Sequence, residues 1–98
     1  MDFKVVFKDA FCDDLEQIVR DIAAENPDAA RRLGKLIIRS AESLTVFPEC
    51  YPRVRGFQGM RRLIVKKHYK VFYRVLPDHP VVEVLRCRDV RRGTNPGI

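Results

Sequence analysis

From Phe3 to Lys8 the side chains alternate, with Phe3, Val5 and Phe7 on one side and Lys4, Val6 and Lys8 on the other. A period of two is that of a β-strand with one drier face. The period then changes. Phe11, Leu15, Ile18 and Ile22 recur at helical spacing and draw one stripe down an α-helix. Asp9 is its expected N-cap. Asp13, Asp14 and Glu16 lie in its first turns, where the helix dipole favours negative charge. Asn26-Pro27 breaks this helix and starts a second, because Asn caps well and Pro fits the first helical position. The second stripe is Ala30, Leu33, Ile37, Ala41 and Leu44. This helix is expected to run to about Val46 and to end at Phe47-Pro48, since Pro48 drives Phe47 out of the helical region. So little chain separates the two helices that they predict an antiparallel hairpin.

Residues 48–59 hold Pro48, Pro52, Gly56 and Gly59 and read as a loop. Three strands follow, over Met60–Lys66, Tyr69–Leu76 and Val81–Cys87. They are joined tightly around Lys67-His68 and through Pro77-Asp78-His79-Pro80, links that make antiparallel hairpins. The order predicts an α+β fold, β-α-α-β-β-β, with the helical hairpin packed on one face of a small, mainly antiparallel twisted sheet. The chain has the length of a single domain, 1–98, with residues 92–98 an irregular tail. One helix pair covers only one sheet face, so the other is left for polar side chains. By the period of two, Lys70, Phe72 and Arg74 share a face, Arg86 and Arg88 share one, and Arg62 and Lys66 share one. Val71, Tyr73 and Val75 make the better core face.

Charge sharpens this picture. Residues 1–50 carry 7 Lys/Arg against 10 Asp/Glu, and residues 51–98 carry 12 against 3, within an overall +6. Such segregation favours a polyanionic partner, nucleic acid or an acidic protein. Cys12, Cys50 and Cys87 are odd in number and widely spaced, and read as reduced thiols rather than disulfides or metal ligands. The first residues read as no signal peptide, and no apolar run is long enough to span a bilayer, so a cytoplasmic protein without a membrane segment is expected. Nothing in the sequence calls for a metal or a cofactor.

Several stretches carry a resemblance. The helix text DLEQIVRDIAAENPDAARRL, the segment SLTVFPE at Ser43–Glu49, and the strand text RRLIVKKHYKVFYRV resemble the ParE/RelE superfamily of toxins from bacterial type II toxin–antitoxin (plasmid-stabilisation) systems. The likeness runs from Phe3 to about Arg92. It implies the βααβββ fold and an acidic cognate antitoxin, with the toxin a possible homodimer or part of a heterotetramer.

The superfamily implies two activities. RelE-like members are ribosome-dependent mRNA endoribonucleases without a metal. In that case the resemblance places catalytic roles on Lys70, Arg74, Arg88 and Arg91, cations that stabilise charge developing on the scissile phosphate. Such nucleases also carry a Tyr or His-Tyr pair near the C-terminus, whereas this chain has no Tyr beyond Tyr73 and no His beyond His79. ParE-like members act on DNA gyrase by binding and cut nothing. LRCRDVRRG resembles the end of the ParE-like pattern, and the missing acid–base pair tilts the reading that way. Lys66, Lys67, Arg91 and Arg92 are then the expected contacts to target or nucleic acid. His68 reads as a polar turn residue and Tyr73 as packing.

Overall fold

Four strands lie side by side in the order β1-β4-β3-β2, with two helices across one face. The computed structural model describes residues 2–76 and 78–92, with the side chain of Arg92 outside that description. The elements are β1 (Lys4–Phe7), α1 (Asp9–Ala23), α2 (Pro27–Glu42), β2 (Met60–Val65), β3 (Tyr69–Leu76) and β4 (Val81–Asp89). β1 pairs parallel with Val81–Val84 of β4, and the other two pairings are antiparallel. This is the expected α+β architecture. The expected tail, 92–98, and Pro77 of the β3–β4 link fall on residues outside the description, apart from the backbone of Arg92.

The helical hairpin forms for the reasons legible in the chain. The Asn26 side chain accepts the Ala29 N–H at 3.0 Å, and Pro27 opens α2. Gly34 sets how closely the helices approach, since a Cβ there would lie 3.3 Å from Cγ2 of Val19. Ala30, Leu33, Ile37, Ala41 and Leu44 are all buried, as their spacing predicts. Leu33, Ile37, Ala41 and Leu44 meet Leu63, Val65, Tyr69, Val71, Tyr73, Val82, Val84 and Cys87 from the sheet, with Phe11 of α1 completing the core.

Local geometry corrects several expected boundaries. Asp9 is not the cap of α1. Lys8 holds that position without a side-chain hydrogen bond, and Asp9 opens the first turn, where its charge meets the dipole. α2 ends at Glu42 and tightens into a 3₁₀ turn over Ser43–Thr45, which is tied to β1 because Phe3 N–H donates to the Thr45 carbonyl at 2.8 Å. Phe47 does leave the helical region, but into left-handed backbone (φ 52°) rather than an extended strand, and it stands 78% exposed. Pro48 excludes only the right-handed helix there. The left-handed bend leads straight into the turn Pro48–Cys50, whose Cys50 N–H reaches the Phe47 carbonyl.

Truncating Ile37, which is wholly buried under the sheet, to Ala is expected to cost about 2–5 kcal/mol. Chemical denaturation of the purified protein measures this, and a loss below about 1 kcal/mol would contradict the packing described.

Candidate target-binding surface

The strand register decides which side chains stand on the face the helices leave open. Between β2 and β3 the partners are Arg62↔Phe72 and Ile64↔Lys70, and between β3 and β4 they are Lys70↔Arg88, Phe72↔Arg86 and Arg74↔Glu83. Directly opposed residues share a face. Arg62, Lys70, Arg74, Arg86 and Arg88 therefore stand on one surface, opposite the core residues Val71, Tyr73, Val84 and Cys87. A bulge produces this arrangement. Phe72 pairs with Arg86 but Tyr73 pairs with Val84, so Leu85 is skipped. Before the bulge, even-numbered β4 residues (Val82, Val84) face the core; after it, the odd Cys87 does. Without that shift of phase Arg86 and Arg88 would be threaded into the core.

The cations on this face differ in how they are held. Arg74 donates to Glu83, 3.1 Å from Nε, in line with their opposed register. That hydrogen bond, with the nearby charges of Arg74 and Lys8, holds the Glu83 carboxyl below its ordinary range. Arg86 forks onto Asp14 of α1 at 2.7 and 3.0 Å, and Arg88 reaches the same carboxylate at 2.9 Å. Lys70 has no ion pair or side-chain hydrogen bond among the described residues, and Nε of Arg62 is buried with no acceptor. Phe72, 3% exposed, lies between Arg62 and Arg86 in the register. The cations of the face thus surround a buried aromatic ring.

A second basic feature lies at one end of the sheet. β2 stops at Val65, and Lys66, expected to share a face with Arg62, instead begins the turn Lys66–His68. Lys66 and Lys67 both have left-handed backbone, φ 50° and 66°, which a side chain with a Cβ adopts at a cost of roughly 1–2 kcal/mol. The His68 carbonyl accepts the Val90 N–H at 2.7 Å, which fastens this turn to the 3₁₀ turn Val90–Arg92. Lys66 and Lys67 are thereby brought to the same end of the molecule as Arg91 and the backbone of Arg92; the Arg92 side chain lies outside the described residues. Arg91 itself turns towards the helices. It donates to Asp89 and, at 2.8 Å, to the Tyr69 hydroxyl, with its guanidinium 5.5 Å from the centre of the Tyr69 ring. It lines a cleft with Ile18, Asp21 and Ile22 of α1 and Glu25 just beyond that helix.

Of the four cations placed together on the nuclease pattern, Lys70, Arg74 and Arg88 do share the open face. Arg91 is not with them. Arg74 stands four residues along β3 from Lys70, about 13 Å away at strand spacing, and is engaged by Glu83. Sequence reasoning passed over Arg62, Arg86 and Asp14 as site residues. Only the strand period pointed to the arginines, and the Asp14 contacts bridge 72 to 74 residues of chain. Tyr73 is core, as its position implied: its hydroxyl donates to the Pro48 carbonyl and burial pushes its pKa up. Burial likewise pushes the Cys87 thiol up to about 12, so it is an inert, packed thiol. The residues of the open face offer strong positive potential, and Glu83, its one described carboxylate, is tied to Arg74. The described residues of that face include no His or Tyr.

A family model described as the ParE toxin of the type II toxin–antitoxin system parDE matches residues 5–93. The chain belongs to that family. Among solved structures it is similar to the chromosomal ParDE system of P. aeruginosa, at 18% identity and TM-score 0.77, covering 89% of this chain and 95% of that one. It is also similar to the RelBE2 toxin–antitoxin complex of Mycobacterium tuberculosis, at 20% identity and TM-score 0.70, covering 91% and 99%. The intact RelBE complex of E. coli is a further relative in fold, at 16% identity and TM-score 0.55, covering 89% and 95%. No curated protein sequence matches the chain.

Two outcomes follow from the geometry. Replacing Lys67 by Gly is expected to stabilise the fold by up to about 1 kcal/mol, because Gly adopts the left-handed backbone without the steric cost; thermal melts measure it, and a destabilised variant would refute the strain. At Asp14, burial opposes ionisation. The Arg86 hydrogen bond, the Cys87 N–H and the charges of Arg88 and Arg86 outweigh it and hold the carboxyl below its ordinary value of 3.8. A carboxyl with a lowered folded pKa stabilises above its unfolded pKa, and that stabilisation is lost as pH falls through the folded value. Urea midpoints taken downward from pH 5 are therefore expected to fall less steeply in D14N than in the parent protein. Equal slopes would refute the contribution.

Proposed function

We propose that this toxin arrests growth by binding its target rather than cutting RNA, and that the target is DNA gyrase. The observation that carries the reading is the open face itself: Arg62, Lys70, Arg86 and Arg88 gather around Phe72 with no His or Tyr among them. Endonucleolytic cleavage at a 2′-hydroxyl needs a base and an acid as well as charge stabilisation, and the arginines of the face serve the last. Membership in the ParE family supports gyrase as the target in preference to ribosome-bound mRNA. The Lys66–Lys67 turn and the adjoining Val90–Arg92 turn make the second part of the contact, at the basic end of the sheet.

A cognate antitoxin is the chain's natural partner, as it is for the toxins of the ParDE and RelBE complexes. We propose that the antitoxin is acidic and that it acts by covering the same cations, since a carboxylate-rich segment satisfies the donors of Arg62 and Lys70 as well as the target does. A gyrase target places the toxin in the cytoplasm. No helix among the described residues is long and apolar enough to cross a membrane.

Purified toxin is expected to slow DNA supercoiling by gyrase, and the double reversal K70E/R88E is expected to abolish both that inhibition and growth arrest while the protein remains folded. Primer extension on mRNA from arrested cells is expected to show no new ends within codons. Unimpaired gyrase together with new codon-internal ends would replace this reading with the endoribonuclease one.

A further inference from the structure

β1 is only four residues long and pairs with Val81–Val84, so the stretch of β4 after the bulge has no strand partner on that side. Asp14 of α1 stands in the gap. Its carboxylate accepts the backbone N–H of Cys87 at 3.0 Å, taking the place of the carbonyl a neighbouring strand would supply. The same carboxylate accepts Nε and Nη2 of Arg86 and Nη1 of Arg88. The Asp14 side chain is 11% exposed, and those of the two arginines 22% and 25%. One carboxylate thus closes a free strand edge and grips two consecutive cations of the open face, and it does so from the helical side of the molecule.

We infer that Asp14 is the positioning residue of the basic face, holding Arg86 and Arg88 in a fixed arrangement for the polyanion that this face binds. The inference rests on the reading of that face as the contact surface. Long arginine side chains lose considerable rotamer freedom when they engage a ligand. A carboxylate that has already ordered them removes part of that cost from the binding step. The fork onto Asp14 uses Nε and Nη2 of Arg86 and leaves its Nη1 to another acceptor.

The sign of one substitution separates positioning from simple charge. Asp14→Asn raises the net charge by one, so a carboxylate that merely neutralised arginines would, once removed, tighten binding to any polyanion. A positioning role demands the reverse. With heparin as the polyanion probe, D14N is expected to bind about tenfold more weakly at a given salt concentration, the scale of a lost charge-assisted contact, and to lose growth arrest. In an R86Q/R88Q background the Asp14→Asn change is expected to shift heparin affinity by less than about twofold, because residues acting through one another are not additive. Tighter or unchanged binding by folded D14N overturns the inference. If D14N does not fold, D14E decides: it keeps the charge and displaces the carboxylate by one methylene, so weaker binding supports positioning and parental binding overturns it. K70E, which leaves Asp14 itself unchanged, tests the underlying reading. If K70E binds heparin and arrests growth like the parent, the basic face is not the contact surface. If K70E loses both while D14N binds more tightly, only the positioning role fails.

Discussion

β4 serves two masters at once. It pairs with β1 and β3, lies under α1, and must give apolar side chains to the core while giving arginines to the opposite surface. A regular strand does this only if its sequence alternates without a break. Here Val82 and Val84 are in phase with each other and out of phase with Cys87, and the skipped Leu85 absorbs the difference. The extra residue costs one ladder pair and bends the strand. In return it keeps two guanidinium groups out of an apolar core, where an unpaired charge would cost several kcal/mol. The fold and the basic face therefore depend on the same local irregularity.

The short β1 creates the complementary problem. It leaves an uncovered edge on β4, and uncovered edges expose backbone donors that are costly if unpaired and prone to wrong pairing if exposed. α1 answers with a side chain. Asp14 is a helix residue placed where the dipole already favours its charge, and it satisfies the Cys87 N–H while pairing with Arg86 and Arg88. The same contact sits between the helical layer and the open face.

What the open face then offers is positive charge. Arg74 and Glu83 settle each other, Arg86 and Arg88 are held by Asp14, and Lys70 has no ion pair among the described residues. At the end of the sheet, two lysines sit in backbone conformations that Asn or Gly would adopt more easily. Strain of this kind persists where the side chain itself is wanted. Together these features belong to a chain of the ParE family and fit the binding role proposed for it.

The sequence by itself determined the elements, their order and the core. Period two at Phe3–Phe7, helical stripes through Phe11 and Ile37, and Asn26-Pro27 between them are local signals, and local signals survive into the fold because each buries its own apolar face. It also marked the basic half and put Lys70, Arg86 and Arg88 among the strand residues. The tertiary structure alone decided the rest. Whether those residues share a face depended on strand pairing and on one bulge, neither of which alternation along a single strand encodes. Arg91 was drawn away from them by Asp89 and Tyr69, and Lys66 left the strand for a left-handed turn. Asp14 looked like one of several acids in a first turn until the sheet brought Arg86 and Arg88 to it across more than seventy residues. Contacts over that separation follow from how layers stack, which no window of sequence contains.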